Sequence, residues 1–509
     1  MAKPSCDRNA APAFFKEFPP PLKTPSANSK PRISSWRLLG YALGDGASCI
    51  AFAGVANFAL LYYTSVLGLG PGMAGLALSV SVFYDAITDP LMGHISDNTR
   101  SRWGRRLPYV LVGGLLLAPA FFSIWILPPG SWPVWGLFVM AVASNLLMRT
   151  AVTIFVVPYV AMGFELCQDY EDRSRLQGIR SAFSMVINLL FGGCAWILFF
   201  RDRTGPDGAR IDGSAIATNY LTMGSVLTVT IVVLVLACTW FNRDLVQDTR
   251  HAKLEGNSLH SFWADFSQIL SDRLAWYVFG FFSIAMFGFL FVSQLQMFVY
   301  VFFMEFRPEE KTIVHGGGMV AAGLGALFQG RVTHRFDKKA AGYVGMGIGI
   351  FGGLWLLLVF TWLGLAPRAE GSVAGWNLPV GLMSFALGQW MWWFGSGMLG
   401  PVSMSMVADL SEIHYLESGV RKDGGYSSIF SFLQKAAQSV GLLISGWLIA
   451  GAGIVSGADI QAPDAVHRIT VITFAIGPVL MALSFLIFRG YPVTRESLHA
   501  MEKKSGRRV

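Results

Sequence analysis

Twelve apolar segments constrain the fold of this 509-residue chain more than any other feature. They centre near residues 52, 83, 117, 150, 188 and 229, and then near 290, 322, 353, 393, 440 and 478. A helix of about 20 apolar residues crosses the hydrocarbon core of a bilayer. Only 14% of the residues are charged, against about 25% in soluble proteins. We therefore predict an all-α polytopic membrane protein and name the segments span one to span twelve.

A polar stretch divides the spans into two sets of six, and similar motifs recur in both sets. This pattern predicts two pseudo-symmetric six-helix halves, an arrangement that places a binding site near the midplane between them. The predicted parts are a disordered cytoplasmic tail (1–37), a first bundle (38–241), a central cytoplasmic loop (242–273), a second bundle (274–490) and a cytoplasmic tail (491–509).

Two expectations concern the loops. Residues 259–274 of the central loop could form an interfacial amphipathic helix, because Phe262, Phe266, Ile269 and Leu270 share one side. Most of the 39 Lys and Arg residues fall in loops on one side of the predicted membrane, and such residues favour the cytoplasm. The net charge of +8 is thus explained by topology rather than by nucleic acid. We predict a bacterial-type inner (plasma) membrane protein with both termini cytoplasmic.

Span two carries two carboxylates, Asp85 and Asp89. Four residues apart, they lie on one face of a helix, where each costs about 3 kcal/mol at the bilayer centre. A chain keeps such a pair where it faces a wet cavity and holds a cation, either Na⁺ or a proton. The alternative is a purely structural role, in which both carboxylates bond to neighbouring helices and Arg side chains. The pair favours a transporter that couples its substrate to an ion.

Three basic residues are candidates for the same cavity. Lys435, in the middle of span eleven, is predicted to be a counter-charge to the acid pair, and the alternative is a snorkelling lysine near an interface. Arg149 in span four and Arg180 in span five could bind a substrate carboxylate or hydroxyl in bidentate fashion, or neutralise Asp85 or Asp89.

Further candidates for substrate contact lie in spans one and ten. Gln389, Trp390 and Trp393 come early in span ten, where aromatic faces could stack on sugar rings, although membrane aromatics often form interface belts or packing. Asp45 lies near the start of span one, where it could be a ligand, a helix cap or an interfacial residue.

Charged residues crowd the predicted cytoplasmic ends of the spans in both halves. Opposite charges there could close an inner gate and separate when it opens, and the alternative is a role in topology alone. The predicted gate residues are Asp97, Arg100, Arg102, Arg105, Glu165, Asp172, Arg175, Asp409 and Arg421.

Several of these motifs resemble the glycoside–pentoside–hexuronide:cation symporter family, the melibiose-permease group of the major facilitator superfamily. The resemblance covers about residues 39–491. It is strongest at 62–64, 85–93, 99–105, 157–159, 165, 169–176, 180, 408–409 and 435. It implies that Asp85 and Asp89 bind the coupling Na⁺, Li⁺ or H⁺, that Lys435 is linked to them, and that Arg180 lies by the substrate. We also expect Tyr159, in the matching segment 157–159, to contact the substrate.

The chain departs from melibiose permease at its sugar-binding positions. Cys49 and Val156 stand where that protein has acidic sugar ligands, and its stacking tryptophans fall at about Val160 and Gly400. The resemblance thus implies that the cation-binding residues are retained and that the substrate site is altered. Related lysolipid symporters of animals share the span-two acids and have an apolar cavity.

The sequence therefore predicts cation-coupled symport, by alternating access, of a sugar-like solute such as a glycoside, pentoside or hexuronide. A lysolipid or other amphiphile is the alternative substrate, and a non-transporting membrane sensor is the alternative class. An enzyme is not expected, because no catalytic constellation appears. We expect no cofactor, a coupling ion (Na⁺, H⁺ or Li⁺), a small-molecule substrate and membrane lipid as partners, no nucleic acid, and a monomer.

Overall fold

The structure is a computed structural model. It describes residues 33–505 apart from 102, 128–129, 131, 168–169, 207, 209, 244–268, 374–375, 420–422 and 459. Residues 1–32 of the predicted N-terminal tail and most of the predicted amphipathic helix at 259–274 therefore lie outside the described residues. The predicted part boundaries stay predictions.

The first half contains six long helical segments. Span one is α1, which continues through two π-helical turns, Val55–Ala59 and Tyr62–Val66. Span five is α5, which a π-helical turn, Leu189–Gly193, joins to the short α6. The helices are α1 (Ser35–Gly54), α2 (Pro71–Asp97), α3 (Leu107–Trp125), α4 (Val134–Leu166), α5 (Tyr170–Asn188), α6 (Ala195–Phe199) and α7 (Ala217–Asn242). A short hairpin lies between spans five and six. Each of its strands, β1 (Arg203–Thr204) and β2 (Arg210–Ile211), has two residues.

The second half repeats this plan. Span eight begins with the short α9, and the π-helical turn Thr312–Gly316 joins it to α10. Spans seven and nine end in π-helical turns, Val299–Phe303 and Leu358–Trp362. The helices are α8 (Arg273–Phe298), α9 (Pro308–Lys311), α10 (Gly317–Arg335), α11 (Lys338–Leu357), α12 (Val380–Ser418), α13 (Asp423–Ala452), α14 (Pro463–Arg489) and α15 (Arg495–Ser505). Strands β3 (Gly371–Val373) and β4 (Trp376–Leu378) pair between spans nine and ten.

Every predicted span is therefore helical, and local sequence explains where several begin and end. Pro71 opens span two and Pro463 opens span twelve, at positions where the missing amide hydrogen costs no helical hydrogen bond. Span ten ends at Gly419, whose φ of 77° is left-handed and suits glycine.

Four of the less apolar spans meet between the halves. Spans one, three, four, six, seven, nine and twelve are long and apolar enough to cross a membrane by composition alone. The remaining five spans (two, five, eight, ten and eleven) are less apolar. Span two packs along span eleven, and span five meets span eight. Ionisable side chains within membrane helices face the protein interior or a wet cavity, so the weaker hydropathy of these spans follows from their position.

The packing repeats six spans later, which confirms the predicted two-half architecture. In the first half, span one packs on spans five and six, and span four packs on spans two and three. In the second half, span seven packs on spans eleven and twelve, and span ten packs on spans eight and nine. The chain is thus a multi-pass membrane protein with two related helical bundles.

Glycine lets the two bundles approach closely. A Cβ atom on Gly75 would lie 2.7 Å from the Leu442 carbonyl oxygen, and one on Gly193 would lie 2.7 Å from the Gly316 Cα. These contacts join span two to eleven and span five to eight. Small residues at such crossings allow helix backbones to touch.

Candidate functional site

The two span-two carboxylates lie together at the interface between the halves. Asp85 is 2% exposed and Asp89 is 31% exposed. The Lys435 ammonium from span eleven donates to Asp85 Oδ2 at 2.8 Å and also to Asp89 Oδ2. Because Lys435 belongs to the second half, this three-residue ion cluster joins the two halves.

Arg149 of span four also reaches the acid pair. Its guanidinium lies 3.5 Å from Asp85 Oδ2 and is 9% exposed. It also lies over the Phe52 ring, 5.2 Å from the centroid. Of the two roles that the sequence left open for Arg149, neutralising an acid matches this geometry.

Thr153 is a member of this cluster that sequence reasoning missed. Its hydroxyl lies 2.9 Å from Asp85 Oδ1 and 3.0 Å from Asp89 Oδ1. It stands four residues after Arg149, so a helix places both side chains on the same face of span four. The four-residue spacing from Arg149 was the sequence signal that could have identified Thr153. It was missed because threonine is common among the apolar residues of membrane helices and bears no charge.

We expect Thr153→Val to weaken ion binding at the acid pair by roughly tenfold, since one hydrogen bond to a charged group is worth about 1.5–3 kcal/mol. Thr153→Ser keeps the hydroxyl and should retain most of the affinity. Ion-dependent thermal stabilisation of the two purified variants would measure the difference. Equal affinities in Thr153→Val and the wild type would remove Thr153 from the site.

A second polar group lies within the first half. Arg180 binds Asp45 in bidentate fashion, with Nε 2.6 Å from Oδ2 and Nη2 2.8 Å from Oδ1. The Tyr159 hydroxyl lies within hydrogen-bond distance of two acceptors, Asp45 Oδ2 at 3.0 Å and the Tyr41 carbonyl oxygen at 2.8 Å. The Tyr41 and Tyr159 rings stack with centroids 4.4 Å apart. Three of the predicted substrate residues, Asp45, Tyr159 and Arg180, are thus brought together.

The span-ten candidates lie apart from that group, inside the second half. Gln389 is 2% exposed and donates to the Gln296 side chain. The Trp390 indole donates to the Val314 carbonyl oxygen at 3.2 Å. Trp393 packs edge-on against His315, with ring centroids 6.0 Å apart. Their contacts are with spans seven and eight, and a role in substrate binding stays a prediction.

The ion pairs described at the predicted cytoplasmic ends lie within single halves. Asp97 pairs with Arg106 at 2.9 Å, and Asp172 pairs with Arg175 at 3.0 Å. Asp409 pairs with Lys338 at 2.5 Å. Arg100 is exposed, Arg105 is half-buried and Glu165 lies in α4. Arg102 and Arg421 lie outside the described residues. An inner gate between the halves stays a prediction.

The opposite, predicted outer side carries an ion cluster between the halves that the sequence did not suggest. Lys311 of span eight is 1% exposed and lies 2.6 Å from Asp212 Oδ2, in the loop after span five. The neighbouring Arg210 donates to the Glu305 and Phe306 carbonyl oxygens at 2.9 and 2.8 Å. The only sequence signal was a lysine at the predicted outer end of a span, where basic residues are uncommon.

The Lys311–Asp212 pair predicts a dependence of stability on pH. Burial alone would raise the pKa of Asp212, but the Lys311 ammonium and the Ser214 hydrogen bonds lower it below its ordinary value. A lowered native pKa means that the ionised pair stabilises the fold above the unfolded pKa, about 3.9, and that this stability is lost as the pH falls through the native value.

We therefore expect the difference in unfolding temperature between wild type and Asp212→Asn to be constant near neutral pH and to shrink below about pH 4. Thermal unfolding of both proteins at several pH values measures it. A difference that stays unchanged in acid would show that Asp212 is not ionised in the folded protein.

Comparison with known proteins gives the family. The family model described as MFS/sugar transport protein matches residues 40–495. The chain belongs to this family. Its resemblance to glycoside–pentoside–hexuronide:cation symporters of the major facilitator superfamily is thereby confirmed. The prediction that it is a transporter and not an enzyme is confirmed as well.

The relatives of this chain differ in what their names say they carry. The chain is 25% identical over 463 residues to the glucuronide carrier protein homolog of Escherichia coli (strain K12), covering 90% of this chain and 93% of the relative. It is 23% identical over 505 residues to the sodium-dependent lysophosphatidylcholine symporter 1-A of Danio rerio, covering 93% and 89%. The family therefore fixes the transporter class more firmly than the substrate.

Solved structures agree on the fold. A bacterial homolog of the human lysosomal transporter Spinster, in an inward-facing and unoccupied conformation, superposes with a TM-score of 0.63 at 12% identity. The superposition covers 90% of this chain and 97% of the Spinster homolog. The major facilitator fold predicted for this family is therefore confirmed.

Proposed function

We propose that this protein is a cation-coupled symporter of a sugar-like solute, a glycoside, pentoside or hexuronide. The observation that carries the proposal is the ion cluster of Asp85, Asp89 and Lys435, which links span two to span eleven. An acid pair that already holds an ammonium can hold another monovalent cation in its place. The coupling ion and the link between the halves therefore compete for the same carboxylates.

This competition provides a coupling mechanism. A cation that binds Asp85 and Asp89 displaces Lys435 and weakens the attachment of span eleven to span two. Loss of the cation restores the attachment. A ligand shifts a conformational equilibrium only by its differential affinity for the two states, and this cluster supplies such a difference because Lys435 lies on the other half.

The solute site in this proposal is the Asp45, Tyr159 and Arg180 group. Its carboxylate and guanidinium can hydrogen-bond to sugar hydroxyls, and the Tyr41 and Tyr159 rings add apolar surface. Planar guanidinium groups suit bidentate binding of oxygen atoms. The group lies in the first half alone, so closure of the second half over it would complete the site.

An amphiphile such as a lysolipid is the second candidate substrate. Cys49 and Val156 are half-buried and replace the acidic sugar ligands expected from the melibiose-permease resemblance. The similarity to the lysophosphatidylcholine symporter supports this candidate. For either substrate, we propose a monomer in a bacterial-type inner membrane with both termini cytoplasmic.

Uptake by reconstituted protein tests the proposal. Proteoliposomes would be loaded under an inward Na⁺ gradient, an inward proton gradient or no gradient, and offered labelled glycosides, hexuronates and lysolipids. Accumulation of a sugar-like solute only under a cation gradient is expected. Arg180→Lys keeps the positive charge but loses the two parallel hydrogen bonds of the guanidinium, so we expect it to lower solute uptake. The control is Arg203→Lys, at an exposed position, which should leave uptake unchanged.

Two outcomes would contradict the proposal. Accumulation of lysolipid alone would select the second candidate. Binding of a solute without accumulation under any gradient would indicate a sensor.

A further inference from the structure

We infer that the loop after span five is a latch that holds the predicted outer side closed, and that this side opens only when the latch releases. The latch consists of Arg210 and Asp212 of the first half together with Glu305, Phe306 and Lys311 of the second half. The inference concerns the conformational change rather than the solute or the coupling ion, so it goes beyond the proposed function.

The ionic contact of the latch crosses between the halves and is buried. Lys311 Nζ lies 2.8 and 2.6 Å from the two Asp212 carboxylate oxygens, and the lysine side chain is 1% exposed. Asp212 Oδ1 also accepts hydrogen bonds from the Ser214 amide and hydroxyl, at 2.9 and 2.6 Å. The first half therefore holds the carboxylate in place, and the second half supplies the ammonium at the start of span eight.

Arg210 fastens the same loop at a second point. Its guanidinium donates to the Glu305 and Phe306 carbonyl oxygens, at 2.9 and 2.8 Å, and to Asp202 of its own half at 2.6 Å. Arg368 of the second half donates to the same Glu305 carbonyl oxygen. The latch thus combines one buried ion pair with two hydrogen bonds from a guanidinium.

The backbone at Glu305 is strained where the latch grips it. Its φ is 49°, and among the described residues it is the one residue other than glycine with a positive φ. A side chain disfavours this left-handed conformation, which persists where surrounding contacts hold it. Here those contacts are two arginines, Arg210 from the first half and Arg368 from the second, so part of the strain is held by the closed latch.

An uncharged connection lies at the position related to the latch by the two-half repeat. The Gly457 amide donates to the Thr64 carbonyl oxygen at 3.0 Å, and the Ser456 hydroxyl donates to the Leu69 carbonyl oxygen at 2.9 Å. These contacts join the loop after span eleven to the segment between spans one and two, six spans away from the elements of the latch. Both connections therefore lie on the predicted outer side, and the uncharged one consists of neutral hydrogen bonds.

Charge makes the latch the stronger of the two connections. An ion pair is stronger in a low-dielectric interior than in water, and removal of one partner leaves the other as an uncompensated buried charge. Separation of the halves on this side would let water reach both Lys311 and Asp212. The cost of an unpaired Lys311 therefore falls on the closed conformation, and Asp212→Asn should shift the equilibrium towards the open one.

Distances between spin labels on the two halves, measured by pulsed electron paramagnetic resonance, test the latch. The labels are placed at Trp132→Cys, before span four, and at Leu363→Cys, after span nine, in exposed loops on the predicted outer side. The parent protein carries both labels and has its five native cysteines replaced by serine. We expect Asp212→Asn to raise the ratio of long to short distances by roughly tenfold or more. Lys311→Met in the same protein removes the unpaired charge and should lower that ratio again.

A variant of the uncharged connection is the matched control. Ser456→Ala removes one neutral hydrogen bond between the halves and should keep the distances of the parent. Equal opening in Ser456→Ala and Asp212→Asn would overturn the inference, because the charged latch would then not control the outer side. Parent distances in a folded Asp212→Asn protein would overturn it as well.

A second variant keeps the test decisive if Asp212→Asn does not fold. Arg210→Gln removes both hydrogen bonds to the second half but strips no cation from the buried Lys311 pair, and Arg210 itself is 37% exposed. It should raise the ratio of long to short distances by less than Asp212→Asn does. Arg203→Gln, on the same hairpin, loses a hydrogen bond to Thr218 of its own half and should not change the ratio. Equal distances in Arg210→Gln and Arg203→Gln would contradict the latch.

Discussion

Replacement of Asp89 by asparagine is expected to abolish ion-coupled uptake. Asparagine keeps the size of the side chain but removes the negative charge that Lys435 contacts. Hydrogen bonds to charged groups are worth about 1.5–3 kcal/mol, so the affinity for the coupling ion should fall by roughly 10- to 100-fold. Without the charge, neither Na⁺ nor a proton can neutralise this position, and the link to Lys435 no longer depends on an ion.

The measurement is uptake by proteoliposomes with and without an ion gradient, together with exchange at equal internal and external solute. We expect loss of accumulation in Asp89→Asn while exchange persists. Asp464→Asn, at an exposed position in the first turn of span twelve, is the matched control and should behave as wild type. Full accumulation by Asp89→Asn would remove this residue from the coupling mechanism.

Asp212→Asn is expected to produce the largest loss of stability among single changes on the predicted outer side. It would leave Lys311, which is 1% exposed, as a buried ammonium without its carboxylate. Breaking a buried ion pair from one side costs about 3–5 kcal/mol. Lys311→Met in the Asp212→Asn background removes the uncompensated charge and should recover much of that loss. The Lys311 ammonium also lies 4.8 Å from the Trp196 ring centroid, so recovery should be incomplete.

A double-mutant cycle on thermal unfolding measures this coupling. The partly exposed pair Arg368–Glu310 (47% and 20% exposed) serves as the comparison, and its coupling should stay under about 1 kcal/mol. Additive effects of the Lys311 and Asp212 changes would show that the pair does not hold the halves together.

The site was partly readable from the sequence. Asp85 and Asp89 were found because charge inside an apolar span is costly and their spacing puts them on one helix face. Lys435 was found for the same reason. Thr153 was missed because a hydroxyl carries no such cost, and Lys311 was missed because its partner, Asp212, lies about a hundred residues away in a loop.

By itself, the sequence determined the membrane class, the twelve spans, the two-half repeat and the ionisable residues that a bilayer tolerates only in a protein interior. These follow from hydropathy and helix periodicity, which are local properties. Only the tertiary structure decided the pairing of those charges: Lys435 with the acid pair, Arg149 with Asp85, Arg180 with Asp45 and Lys311 with Asp212. Pairing depends on which helices pack together across hundreds of residues, and the strength of an ion pair changes steeply with distance and burial. The sequence therefore identified the charged residues, and only the tertiary structure showed which of them form ion pairs.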